Sequence, residues 1–275
     1  MSPARLPTAA ALCLSVVMLA APVTAATAWE DIRASLYGDR PITEAGTHIA
    51  VESPYRTGND ARTPIGIRVT GPNGRLVDRV SVILDENPMP VSAVLDLARP
   101  MPSVFFEVTL RFNGPTPLHV VAETADGQLY VTEAFVKTSG QGACAAPPGT
   151  DPDAALASLG EMTIEMQAPA SSGDAAARLG ALAGREARVD VNISHPSHSG
   201  LQMDQISLLF IPMRYVETLD IDLDGQPYAQ VTGSISLSEN PRIGLSAPGA
   251  TRSVGVTMTD TDGTVTRAER SLPGY

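Results

Sequence analysis

The chain has 275 residues, enough for two small domains or one large one, and 43% of them are hydrophobic, so a core can be buried. Its formal net charge is −11, from 19 Lys and Arg against 30 Asp and Glu. Nucleic acid is excluded as a partner, because phosphate binding needs clustered cations that the sequence lacks. Aromatics make up only 4%, and 23 Gly and 23 Pro fall between short apolar runs, which points to an aliphatic, β-rich protein with many turns.

Residues 1–28 read as a secretory signal. Arg5 supplies a short basic start, residues 9–21 form an apolar run, and Ala26-Thr27-Ala28 makes a small-residue cleavage site. The run is too short and too rich in Ala for a membrane span, and no twin-arginine pair precedes it. The mature protein is therefore expected in the periplasm, exported and without a stable span. Cys13 leaves with the signal, so Cys144 becomes the only thiol.

Residues 29–138 carry runs rich in Val, Ile, Phe and Thr. In "FFEVTLRF" the residues Phe106, Val108, Leu110 and Phe112 alternate with Glu107, Thr109 and Arg111, which predicts a half-buried strand with the second set facing water. Asp126-Gly127 between two such runs predicts a tight hairpin. The fold class that follows is all-β, with one antiparallel β-sandwich here and another over 187–275.

Residues 139–186 between them are rich in Ala, Gly, Ser and Pro and read mainly as an arm and linker. "DPDAALASLG" has the punctuation of a short helix, and "EMTIEMQ" alternates like an added strand. Near the start of this stretch, Gly140, Gly142, Ala143 and Ala145 flank Cys144. A free cysteine is more often buried as a small hydrophobe. These neighbours, with Ala146, Pro147 and Pro148, offer no side chains to enclose a sulfur, so exposure is expected. An unpaired thiol in an oxidising compartment is a liability unless it is used. Lys137 is the one cation close in sequence, and an unassisted thiol with a pKa of about 8.5 is only a few per cent ionised near neutrality. That suits an attachment point loaded and unloaded by other proteins better than a nucleophile needing fixed geometry.

In 187–275, Asp224-Gly225 and Asp262-Gly263 predict two more hairpins. "LDIDLDGQ" resembles the first half of a calcium loop, but its twelfth position is Val231, so an acidic strand entering a hairpin is the better reading. His195 and His198 in "SHPSHSG" lack a third ligand with any supporting pattern, since His48 and His119 are distant. They read as turn-stabilising residues, with metal a subordinate alternative. No serine-hydrolase elbow, phosphate-binding loop or dinucleotide fingerprint occurs, and no cofactor is implied.

The second region resembles SoxZ. "SHPSHSGLQMD" is similar to the signature "SHPMETGLRKD", matching at His195, Pro196, Gly200, Leu201 and Asp204, and "SLSENP" with Asn240 and Pro241 is similar to a following segment. The first region resembles SoxY through its order, a sandwich ending in "EAFVKT" followed by a Gly-flanked cysteine. The resemblance implies two immunoglobulin-like sandwiches of the SoxYZ sulfur-carrier family, fused in one chain. It also implies that Cys144 holds intermediates of thiosulfate oxidation covalently. Fused chains of this form resemble the quinoprotein dehydrogenase-associated SoxYZ-like carriers, so the cargo is a sulfur species or another thiol-reactive group such as an aldehyde.

In SoxY the cysteine sits in a terminal G-G-C-G-G arm, whereas here it is internal and Ala replaces Gly beside it. From Ser139 to Cys144 the chain reaches at most about 17 Å, so a loop tethered at both ends must enter a partner doubled. The function expected is a carrier without turnover of its own, served by periplasmic redox or hydrolytic enzymes of a sulfur- or alcohol-oxidation pathway. The alternative is a docking or assembly module for a periplasmic quinoprotein dehydrogenase, and a thiol enzyme using Cys144 is a third reading.

Overall fold

The computed structural model describes residues 28–140, 156–167, 186–203 and 207–271. The first half contributes a helix α1 (Ala28–Tyr37) and strands β1 (Ile42–Glu44), β2 (Ile49–Glu52), β3 (Thr63–Thr70), β4 (Val77–Leu84), β5 (Val91–Met101), β6 (Ser103–Leu110), β7 (Thr116–Thr124) and β8 (Leu129–Val136). The second contributes β9 (Met162–Gln167), β10 (Glu186–Ile193), β11 (Val216–Leu223), β12 (Gln226–Gly233), β13 (Arg242–Pro248), β14 (Ser253–Asp260) and β15 (Val265–Ser271). "EMTIEMQ" is indeed a strand: β9 pairs antiparallel with β10, Ile164 opposite Val191. Of the helix expected in "DPDAALASLG", residues 151–155 lie outside the described residues, Leu156 and Ala157 are helical, and 158–160 form a turn.

The three predicted hairpins join β7 to β8, β11 to β12 and β14 to β15. Asp224 and Gly225 both take positive φ (52° and 74°), the geometry of a two-residue turn that matches strand twist. Asp224 Oδ1 accepts the Arg252 and Ser253 amides at 2.8 Å each, which pins the turn to the start of β14.

The strands form two layers of the immunoglobulin-like type, one ordered β1-β8-β7-β4-β5-β12-β11-β14-β15 and the other β2-β3-β6-β13-β10-β9. Both layers run through both halves. β5 pairs with β12, setting Leu95 opposite Val231, and β6 pairs with β13, setting Phe106 opposite Leu245 and Val108 opposite Ile243. The two sandwiches thus lie edge to edge, and one aliphatic core continues from Ile65 and Phe106 to Val191, Ile221 and Val256. Each seam closes strand edges that would otherwise invite foreign pairing. Gly233 ends β12 where a Cβ would collide with the Val216 carbonyl and the Leu237 side chain.

The alternation in β6 is half right. Phe106, Val108, Leu110 and Phe112 are fully buried, but Thr109 and Arg111 are buried as well. Arg111 sits just past the end of β6, where its guanidinium donates to the carbonyls of Ser197 (3.0 Å) and Ile235 (3.1 Å) in the second half. On the outer face of the smaller sheet, Arg188 donates to Glu107 across the same boundary (2.6 Å) and to the buried Asp190 (2.9 Å).

α1 was not apparent in the sequence. It lies over the outside of the larger sheet, where Trp29, Ile32 and Tyr37 cover Ile83, Val121, Leu129 and Val131. This second layer of burial explains why Ser81 and Ile83, on the outer face of β4, are buried along with Val80, Val82 and Leu84 on its inner face. The Trp29 ring stacks on His119, centroids 4.0 Å apart. Among the described residues no helix is long and apolar enough to cross a membrane.

Candidate functional site at the root of the cysteine segment

Cys144, Gly142, Ala143 and Ala145 lie outside the described residues, as does Asp204. Gly140 is described: it is exposed, with φ +91°, a backbone setting that favours glycine. The chain leading to it is held by the loop after β2. Lys137 donates its amide to the Tyr55 carbonyl and accepts the Thr57 amide, both at 2.8 Å. Its ammonium lies 4.9 Å from the centre of the Tyr55 ring. Arg56 donates to the Thr138 carbonyl at 3.1 Å.

Asp60 completes the hold. Its carboxylate is buried and accepts the amides of Ser139 (2.6 Å) and Gly140 (3.2 Å) together with the Thr57 hydroxyl. Burial by itself would raise the Asp60 pKa, but these donated hydrogen bonds outweigh it and hold the carboxyl below its ordinary value. The Asp60 carbonyl in turn accepts the Phe112 amide at 2.8 Å, which couples the hold to the buried segment just past β6.

The chain returns at the same end of the molecule. Gly160 donates its amide to the Ser194 carbonyl (2.7 Å), and Ser194 donates to the Glu161 carbonyl (2.8 Å). Gly160 has φ +80°, and a Cβ there would strike the Thr266 side chain, so this re-entry requires glycine.

Ser194 opens the loop carrying the SoxZ-like residues. His195 and Asn240 are joined reciprocally: the His195 amide donates to Asn240 Oδ1 (3.0 Å), and the Asn240 amide donates to the His195 carbonyl (2.8 Å). The Pro241 carbonyl accepts the Ile193 amide at 3.1 Å. The two motif segments therefore form one structural unit. The His195 side chain is sealed from solvent. Its Nδ1 accepts the Ser197 amide (2.9 Å), which leaves Nε2 to face Asp260 Oδ2 at 3.4 Å. Burial pushes the His195 imidazole below its ordinary pKa, although Asp260 pulls the other way. Asp260 also accepts from Arg214 Nε at 2.8 Å.

His198 does not join His195 as a ligand pair; its Nδ1 faces Gln202 Oε1 at 3.0 Å. His119 is buried far from both, 2.9 Å from Asp85. Pro196 is buried, and Gly200, with φ +78°, lets the loop turn tightly against Met213. Among the described residues no group of three His, Cys, Asp or Glu side chains could hold a metal ion.

Arg111 ties these pieces together, since its donors reach the loop at Ser197 while its own amide donates to the Ser236 carbonyl (2.7 Å). Asn87 bridges the Arg111 carbonyl and Ser236 Oγ at 2.8 and 2.9 Å. Asp60, Thr57, Arg111 and Asp260 all escaped the sequence reading. Each acts through partners far away in sequence, and none sits in a recognisable motif.

Fold and site together define a two-module β protein whose interdomain connection leaves and returns beside the His195 loop. Residues 33–144 match the family described as sulfur oxidation protein SoxY, a match that closes on Cys144, and residues 177–271 match sulphur oxidation protein SoxZ. These matches span well over half of the chain, which belongs to the SoxYZ family as a fused SoxY/SoxZ-like carrier of sulfur oxidation. Among solved structures, the sulfur carrier protein SoxY from Chlorobium limicola f thiosulfatophilum is 26% identical over 40% of this chain and 90% of its own, with a TM-score of 0.34. A chicken TCR structure is 9% identical over 82% of this chain and 99% of its own, with a TM-score of 0.23. A comparison with curated proteins gives no match.

Proposed function

We propose that this protein is a periplasmic carrier that holds a pathway intermediate covalently on Cys144 and presents it to partner enzymes without turnover of its own. The observation that supports this reading is the anchoring on either side of Cys144. Asp60 fixes the chain at Gly140, and Ser194 fixes it at Gly160, both at one end of the fused sandwich. Four chain steps lead from Gly140 to Cys144, so the Cys144 Cα stays within about 14 Å of its root.

The chemistry calls for partners. Joining a thiol to a thiosulfate-type sulfur forms an S–S bond and releases two electrons and the thiol proton, so a redox enzyme must accept the electrons. Releasing an oxidised terminal sulfur as sulfate consumes water, which is hydrolytic work. The cargo proposed is a sulfur species; a quinoprotein dehydrogenase as partner would extend this to an aldehyde.

The test is intact-mass spectrometry, without reductant, of protein recovered from its native host grown on thiosulfate and on an alcohol. An adduct on Cys144 that changes with substrate supports the carrier and weighs its cargo. A plain thiol under both conditions would make the protein a docking module instead.

A further inference from the structure

The loop that begins with His195 continues into an antiparallel excursion. His198 pairs with Arg214 and Met203 with Phe210, and the Ile211 amide donates to the Gln202 carbonyl at 2.8 Å. Its base is rigid, held by the Arg214–Asp260 ion pair and the sealed His195. Its outer part is apolar and faces water. Leu208, Leu209 and Phe210 follow one another at 69%, 69% and 65% exposure, with Leu201, Met203 and Met213 about half exposed beside them. Three successive large apolar residues so exposed are costly to solubility unless something covers them.

We infer that this apolar excursion is the docking surface for the redox enzyme that loads Cys144, an enzyme carrying an apolar recess beside the entrance to its thiol-processing site. The inference rests on the carrier reading above. Its ground is where the chain leading to Cys144 starts and ends. Gly140 is bonded to Asp60, Asp60 to Phe112, and the adjacent Arg111 to Ser197, next to the base of the excursion. On the return side, Gly160 is bonded to Ser194, the first residue of the same loop. The short tether from Gly140 limits the Cys144 Cα to about 14 Å, whereas the twelve steps from Cys144 to Leu156 could span about 40 Å. An enzyme reaching Cys144 must therefore approach this end of the sandwich, where the excursion lies in its path. A net charge of −11 opposes a second copy of the chain or an anionic lipid surface as the occupant.

The test compares the wild-type chain with Leu209→Ser/Phe210→Ser and with Leu76→Ser, whose exposed side chain lies at the opposite end, beside Val77 and its partner Met101. Each is produced in the native host, and the rate at which the Cys144 adduct accumulates after thiosulfate addition is followed by intact mass. The double variant should load at least about tenfold more slowly, the loss expected on removing a packed apolar anchor. Leu76→Ser should load normally, and all three should share the same melting temperature and the same Cys144 alkylation rate with iodoacetamide. Equal loading of the wild type and the double variant overturns this inference and leaves the carrier reading intact. Slow loading that accompanies a shift from dimer to monomer in sedimentation also overturns it, in favour of an interface between copies. An empty wild-type thiol on thiosulfate and on an alcohol overturns the carrier reading and this one with it.

Discussion

Asp60 and Gly140 stand eighty positions apart in sequence, yet the carboxylate of one accepts the backbone amide of the other at 3.2 Å. The same carboxylate takes the Ser139 amide, so one buried side chain fixes where the cysteine segment leaves the sandwich.

Asp60→Ala should leave these amides and the Thr57 hydroxyl without their acceptor, at a cost of about 1–3 kcal/mol. Denaturant unfolding at pH 7 reads the loss, and hydrogen exchange should accelerate at Ser139 and Gly140. Because the folded pKa of Asp60 is depressed, its contribution is fully present above the unfolded value of about 3.9 and fades as pH falls through the folded value. The gap between wild type and Asp60→Asn should therefore narrow in acid. A gap independent of pH would mean that the charge of Asp60 does not hold the root.

The continuous sheets and shared core predict a single cooperative unfolding transition, with equal calorimetric and van't Hoff enthalpies. Two resolved transitions would show that the halves fold as separate domains.

Arg111→Ala should cost about 2–4 kcal/mol, since it strands the Ser197 and Ile235 carbonyls in a buried place and opens a cavity between the halves. An exposed arginine would cost almost nothing, so a change below about 0.5 kcal/mol would place Arg111 at the surface.

His195 titrates below its ordinary value because it is buried neutral. Stability should be full above the unfolded pKa of about 6.5 and decline as pH drops below it towards the folded value, since the unfolded chain takes the proton first. His195→Gln should flatten that decline between pH 7 and 5. A wild-type profile matching the variant would exclude His195 as its source.

Trp29 is the only tryptophan in the sequence, so its emission reports on α1 alone. Its stack on His119 and its contact with the second apolar cluster predict a loss of about 1–2 kcal/mol for Trp29→Ala. Wild-type emission should change together with far-ultraviolet circular dichroism; an earlier change would mean that α1 detaches before the sandwich unfolds.

What the sequence made legible was local. The Asp-Gly turns are fixed by backbone geometry within two residues, and the Phe106 to Phe112 stripe by the pleat of one strand. His195 and Asn240 could be singled out as motif residues, but not as partners of one another or of Asp260. Arg111 read as a solvent-facing residue because the Ile235 carbonyl that buries it lies 124 positions later. α1 was hidden because Trp29, Ile32 and Tyr37 directly follow an Ala-rich stretch and gain their meaning only from the outer face of β4, β7 and β8. The edge-to-edge seams escaped for the same reason: each half contains a plausible sandwich, and nothing local shows that β5 and β6 seek partners in the other half.

Since β5–β12 and β6–β13 join the halves, the covalent connection is not what holds them. A single nick after Cys144 would leave a two-chain molecule of unchanged shape, in which the thiol rides on a free tail. Fusion in this protein thus sets the stoichiometry of its parts and tethers the cysteine segment at both ends, while the strand seams, the shared core and the Arg111 and Arg188 contacts account for their union.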